Sequence, residues 1–169
     1  MRLYVMRHGP AEDRAATGRD FDRALTRPGR EIVDRAARGL RRAREAESTS
    51  GGGRLSVLSS PLRRARETAE IVRGVLSSPA APIEVELHDD LATDRPLPFA
   101  LIFELARTGG DALLIGHQPA VEALVDMLAA PAAVPLPGGF HTGLIVTLES
   151  AGPGRWQPAA VFDPREANR

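Results

Sequence analysis

Three short, mainly apolar runs, at 3–6, 55–58 and 112–115, constrain the fold of this chain more than any other feature. Each run breaks off at chemically loaded residues. Arg7-His8-Gly9-Pro10 follows the first, Ser59-Ser60-Pro61 through Arg64 the second, and Gly116-His117-Gln118-Pro119 the third. Runs this short, bounded by Gly, Ser and Pro, read as buried strands. Between them the apolar residues recur every three or four positions, as on helices. Thr26 offers an N-cap ahead of Pro28, and Ile32, Ala36, Leu40 and Ala43 share one face to about Glu45. Ser59-Ser60-Pro61 reads as the cap of a second helix, with the proline early in its first turn. Leu62, Ala65, Ala69, Val72 and Leu76 form its inner face. Residues 97–107 predict a third helix ended by Gly109-Gly110, and Val121, Leu124, Val125 and Leu128 mark a fourth. Further strands are predicted at 83–87, 144–148 and 156–162, the last two joined by a hairpin turn at 151–154. Residues 10–25, 48–53 and 130–139 read as loops.

Strands alternating with helices predict one domain over 1–169, an α/β/α sandwich of three layers around a mostly parallel sheet. In such sheets ligands bind beyond the carboxyl ends of the strands. If the first three runs are parallel, their loaded ends meet on one edge.

Composition narrows the chemistry by exclusion. The chain has no cysteine, which removes disulfides, thiolate nucleophiles and Cys-ligated metal. It has no lysine either, since all 22 basic residues are arginine. A P-loop lysine and a Schiff-base lysine are thereby excluded. The four histidines are scattered, with no pair at i, i+4, so no metal site and no cofactor is expected. Net charge is zero but uneven. Residues 1–76 hold 17 Arg against 10 acids (+7), and residues 77–169 hold 5 Arg against 12 (−7), which favours an anion site in the first half. Aromatics are only 4%, with no basic run interleaved by stacking residues, which argues against nucleic acid. No apolar stretch is long enough to span a membrane, and the N-terminal run is too short for a secretory signal. The expectation is a cytoplasmic protein.

Two histidines and two arginines on one sheet edge suit phosphoryl transfer. Cationic donors hold the equatorial oxygens, and a neutral imidazole can attack phosphorus. Arg64, in the first turn of its helix, adds the favourable end of the helix dipole. Without further context, each residue also has a plainer reading: Arg7-His8 as a surface turn, His117 as a core histidine, and Arg64 as a solvated helix arginine like Arg63, Arg66 and Arg73. The Arg-rich stretch from Arg35 to Arg44 reads as a solvated helix face.

The ordered set resembles the histidine phosphatase superfamily. Arg7-His8-Gly9 after an N-terminal strand resembles its signature, and the segment from Ser60 to Ala69 (SPLRRARETA) is similar to its second motif. Gly116-His117 resembles the third, and Leu25-Thr26 with Gly29 a further pattern at a helix start. The short length, with Arg23-Ala24-Leu25-Thr26 and His117-Gln118-Pro119, is most similar to the small SixA-like phosphohistidine phosphatases. The resemblance implies a phosphoglycerate mutase-like fold and metal-independent hydrolysis through a phosphohistidine intermediate. By residue, it implies His8 as nucleophile, Arg7 and Arg64 as phosphate clamps, His117 as a further donor to the phosphoryl oxygens, and Arg23 as an additional phosphate contact. Family members commonly use a Glu as proton donor. This chain departs from that, reading His88-Asp89-Asp90-Leu91, so that Asp90 is the first candidate and Asp89 the next, against the plainer reading of a solvated turn. His141, within a glycine-rich turn, is placed as a residue that could line the pocket. The implied partner is a phosphorylated protein bearing phosphohistidine. The alternatives are a small phosphorylated metabolite or a non-catalytic phosphate-binding module.

Overall fold

The computed structural model describes residues 1–46, 54–136, 138–152 and 154–166. The loop predicted at 48–53 and Pro153 of the predicted hairpin turn lie outside these. Six strands are described: β1 (Arg2–Arg7), β2 (Leu55–Ser59), β3 (Val85–Leu87), β4 (Asp111–Gly116), β5 (Ile145–Gly152) and β6 (Arg155–Phe162). They form one sheet in the order β3-β2-β4-β1-β5-β6. β1 to β4 are mutually parallel, and β5 alone is reversed, pairing antiparallel with β1 and with β6. The loaded ends of β1, β2 and β4 therefore lie side by side, with β4 in the middle.

Four helices, α1 (Arg27–Ala46), α2 (Arg63–Leu76), α3 (Phe99–Thr108) and α4 (Ala120–Ala129), cover the two faces. Successive residues of a strand serve opposite faces. Tyr4 and Met6 join Leu113, Ile115 and the α1 and α2 residues Val33, Ala36, Ala65, Ala69 and Val72 in one core. Leu3 and Val5 join Leu114, Val146 and the α3 and α4 residues Ile102, Val121, Leu124 and Val125 in the other. Covering both faces is why β1 and β4 read as unbroken apolar runs, and β2 as a run interrupted only at Ser56, rather than as alternating strands. The result is the three-layer arrangement predicted.

Local departures from the sequence reading each have a cause. Pro61 is not in the first turn of α2. That helix starts at Arg63, after an extended Leu62 with no side-chain cap. Ser60 does not cap it because its hydroxyl faces the sheet edge. The strand predicted at 83–87 is ordered only over Val85–Leu87, an edge strand with Glu86 and Leu87 exposed. In α4 the inner face also takes in Ala129, while Leu128 packs against the core only partly buried. Arg44 is not a solvated helix residue. It pairs with Asp111 at 2.6 Å and reaches the Tyr4 hydroxyl at 3.2 Å, closing the far end of α1 onto the sheet.

The start of α1 is pinned to the end of β1 through Pro10. The carbonyl of Pro10 accepts the Thr26 N–H at 3.0 Å, and the Thr26 hydroxyl accepts the Gly29 N–H at 3.0 Å as an N-cap. Helix and strand exit approach so closely that a Cβ on Gly29 would lie 2.0 Å from the Pro10 carbonyl oxygen. A backbone atom cannot step aside as a side chain can. Gly29→Ala should therefore destabilise the chain by about 3 kcal/mol, the upper end for overpacking. Urea unfolding checks this, and a loss below about 0.5 kcal/mol would contradict so close an approach.

Candidate active site

The sheet edge brings His8, His117, Arg7 and Arg64 together. His8 and His117 are 8% and 4% exposed, and their ring centroids lie 5.0 Å apart. The ends of the strands hold them there. The His8 N–H donates to the Gly116 carbonyl at 3.1 Å, the Ser60 N–H donates to the Ile115 carbonyl at 3.0 Å, and the Gly143 N–H donates to the Arg7 carbonyl at 3.0 Å.

The hydrogen bonds of His8 determine its tautomer. The Arg64 Nε–H can only donate, and it points at His8 Nε2 at 3.2 Å, so Nε2 carries the lone pair. The ring proton then sits on Nδ1, which donates to the Gly9 carbonyl at 2.7 Å. Burial pushes His8 down to about 4; the bond to Gly9 opposes this, and Arg64, Arg7 and Arg23 reinforce it. His8 is thus a neutral imidazole at ordinary pH, with Nε2 unprotonated and accepting only from Arg64. His117 Nε2 lies 2.8 Å from the Ser60 hydroxyl, which also accepts the Leu62 N–H at 3.3 Å. The hydroxyl, with one donor and two lone pairs, serves either tautomer of His117, and the contact fixes the ring's place at the strand end. Burial, then His8 and Arg64, push His117 down to about 3.

Arg7 donates from Nη1 to the Phe140 carbonyl at 2.8 Å, and its buried Nε has no partner among the described residues, nor has His117 Nδ1. An unsatisfied buried N–H is uncommon, and that of Arg7 beside a neutral imidazole leaves donor capacity for an anion. Arg64 is held from three sides. Its Nη1 donates to the Asp20 carbonyl at 2.8 Å, its Nη2 to Asp20 Oδ2 at 3.0 Å, and its own carbonyl accepts the Thr68 hydroxyl at 2.7 Å. The Thr68 oxygen accepts the Gly9 N–H at 3.1 Å, which ties α2 back to the end of β1.

The other residues singled out in the sequence fall as follows. Arg63 points away from His8 and pairs with Glu67 at 2.9 Å. Arg23 reaches Asp20 Oδ1 at 2.8 Å, and its charge acts on His8. Asp90 makes no hydrogen bond or ion pair with Arg7, His8, Arg64 or His117, although its turn is tied to the same strand ends by the His88 N–H, which donates to the Ser59 carbonyl at 2.9 Å. Asp90 lies on the short 3-10 turn Asp89–Leu91 after β3, 57% exposed, with its nearest partner His88 Nδ1 at 3.6 Å. His141 lies beside Gly138 and Asp163; the turn it belongs to reaches the site instead through the Phe140 carbonyl. Asp20, Ser60, Thr68 and Phe140 are contributors that the sequence did not single out for these contacts. Among the described residues, no group of three or more His, Asp or Glu side chains could hold a metal ion, and no helix is long and apolar enough to cross a membrane.

The two low imidazole values make stability depend on pH. Unfolding returns both rings to an ordinary value near 6.5, so below that pH the unfolded chain takes up protons that the folded chain refuses until about 4 and about 3. Stability is complete above about 6.5 and falls as pH drops toward 4. Thermal unfolding between pH 8 and 4.5 should show the fall, and His117→Asn should make it shallower. Parallel profiles for the two proteins would contradict the shift at His117.

A three-layer sheet that gathers a neutral imidazole, a second buried histidine and two arginines at its carboxyl edge defines an enzyme that handles phosphoryl groups. The sequence profile of the histidine phosphatase superfamily (branch 1) matches residues 3–92, more than half of the chain. The chain belongs to that superfamily, has its phosphoglycerate mutase-like fold, and is a phosphatase. An uncharacterised protein of Picosynechococcus sp. is 35% identical over 122 residues, covering 70% of this chain and 67% of its own. The structure is similar to that of the protein histidine phosphatase SixA complexed with tungstate, with a TM-score of 0.80 and 26% identity over 99% of each chain. It is also similar to a candidate phosphohistidine phosphatase SixA from Agrobacterium tumefaciens, with a TM-score of 0.73 and 26% identity over 95% of this chain and 96% of that one.

Proposed function

We propose that this phosphatase hydrolyses protein phosphohistidine through a covalent intermediate on His8, with no metal ion. The observation that carries the reading is the Arg64–His8 contact, which leaves the Nε2 lone pair of a neutral imidazole beside a guanidinium. In the reaction Nε2 forms the new N–P bond while the bond from phosphorus to the leaving group breaks. Arg64, Arg7 and His117 stabilise the charge on the phosphoryl oxygens. Water then attacks phosphorus, breaks the N–P bond and releases inorganic phosphate, restoring His8. The similarity to a SixA protein complexed with tungstate, a tetrahedral oxyanion, supports oxyanion binding by this chain.

The choice of phosphohistidine follows from the acid. Asp90, the first candidate from the sequence, faces solvent beside His88. A serine or sugar ester expels an alkoxide and needs a placed proton donor, whereas imidazole leaves readily because its conjugate acid has a pKa of about 6.5. The test is a panel of phosphohistidine, aryl phosphate and alkyl phosphate substrates with wild type and Asp90→Asn. Phosphohistidine should be preferred over alkyl esters by at least ~10²-fold in kcat/KM, aryl esters should fall between, and Asp90→Asn should hurt alkyl esters most. Equal turnover of all three substrates, slowed alike by Asp90→Asn, would favour a small-metabolite phosphomonoesterase instead.

A further inference from the structure

One carboxylate at the site has no part in the proposed reaction. Asp20 opens a three-residue 3-10 turn, Asp20–Asp22, in the loop between β1 and α1. Its Oδ2 accepts from Arg64 Nη2 at 3.0 Å, its Oδ1 from Arg23 Nη1 at 2.8 Å, and its backbone carbonyl from Arg64 Nη1 at 2.8 Å. Together with His8 on Nε, every nitrogen of the Arg64 guanidinium is engaged. The exposures are lopsided. The Arg64 side chain is 5% exposed and that of Asp20 56%, so the carboxylate lies on the solvent side of a buried cation. That is also the side from which an anion has to arrive. The hydrogen bonds from Arg23 and Arg64 hold the Asp20 carboxyl below its ordinary range, so it meets them as an anion.

We infer that Asp20 is an internal stand-in for the phosphoryl group: it occupies Arg64 and Arg23 in the empty site, and each phosphate that binds must displace it. A carboxylate and a phosphoryl group offer a guanidinium the same pair of acceptor oxygens, and both cannot hold the same donors at once. A buried arginine left unpaired in an empty pocket is costly, which gives the stand-in a physical reason to exist. Its loop is built to yield. No residue from 11 to 23 is buried, so displacement uncovers no core, and Gly18 sits at φ +73° with open space around it. The return of Asp20 to its arginines also opposes rebinding of the product, so Asp20 sets phosphate release as well as phosphate affinity.

This inference rests on the reading of Arg64 and His8 as the phosphate site, and one experiment separates the two. Inorganic phosphate is titrated calorimetrically into the full chain as wild type, Asp20→Asn and Asp22→Asn, with Asp20→Ser as a second variant should the first fold poorly. Asp22 has the same charge two positions on, but its carboxylate holds Thr17 at 2.6 Å and Arg19 at 2.7 Å instead. Asp20→Asn should bind phosphate about tenfold more tightly or better, the scale of a hydrogen bond to a charged group, and phosphate should inhibit its turnover at correspondingly lower concentration. Asp22→Asn should stay within about twofold of wild type. Unchanged or weaker binding by Asp20→Asn would make Asp20 a positioning residue for Arg64 and overturn the stand-in. Equal tightening by both variants would overturn it in favour of net charge alone. Phosphate binding by neither wild type nor Asp20→Asn would overturn the phosphate site itself.

Discussion

His8→Ala abolishes turnover: kcat/KM falls at least about 10⁴-fold, the scale of losing a nucleophile, and no phosphoenzyme can be trapped. The reason lies in composition as much as in geometry. The chain has no cysteine and no lysine, and His8 is the neutral imidazole whose Nε2 lone pair faces Arg64. A mixture of wild type and labelled substrate quenched in base should yield protein-bound phosphate that survives alkali and is lost in acid, as expected of phosphohistidine. The variant should yield none while keeping its thermal unfolding transition. Full activity in His8→Ala would end the covalent mechanism and leave the site as a clamp around some other nucleophile.

Arg64→Ala costs about 2–4 kcal/mol of transition-state stabilisation, a loss of about 10²- to 10³-fold in kcat/KM, as for one preorganised donor to developing charge. Its neighbour gives the internal control. Arg63 is half exposed and paired with Glu67, so Arg63→Ala removes only a surface pair and should be nearly neutral. A second readout distinguishes loss of a donor from general damage. The charge of Arg64 helps to hold His8 at about 4, so removing it should move the acid limb of the pH–rate profile upward. Damage without loss of that charge would lower activity and leave the limb in place. Equal losses for the two variants would mean that the arginine assignment is wrong.

The strand ends were readable in the sequence because burial on both faces forces mainly apolar runs, and Gly, Ser or Pro marks where each run stops. Arg7, His8 and His117 stood out because they sit where those runs end, whereas Arg64 was set apart from Arg63 by the resemblance to the family's second motif. What lay hidden is of another kind. The Phe140 carbonyl that holds Arg7 is a backbone atom 133 positions away, and no side chain announces it. Asp20 meets Arg64 across 44 positions from a polar loop in which, in sequence, it is one solvated acid among several. Ser60 looked like a helix cap because Ser-Pro after a strand is a common helix start. Only the proximity of β4 shows that its hydroxyl faces His117. Glu67 likewise gives no signal that it accepts the Leu25 N–H at 2.8 Å while holding Arg30 and Arg63. The sequence shows which residues end a strand, whereas pairings between distant loops depend on how closely the layers approach.

The loop that bears Asp20 and Arg23 is closed at its neck. Ala11 bridges Leu25, the Glu12 N–H donates to the Ala24 carbonyl at 2.9 Å, and the Thr26 N–H donates to the Pro10 carbonyl at 3.0 Å. Residues 13–23 therefore form a ring sealed at its base, and the sheet does not depend on the ring's circumference. Doubling the length of such a ring costs only roughly 0.6 kcal/mol in closure entropy. Insertions grafted between Asp13 and Gly18 can raise a wall beside the pocket and change the size of molecule admitted, while Arg7, His8, Arg64 and His117 stay anchored outside the graft. Reach is thus written mainly in the stretch before Asp20, so a library of ring lengths that keeps Asp20 on Arg64 would vary it while the four anchored residues supply the same chemistry.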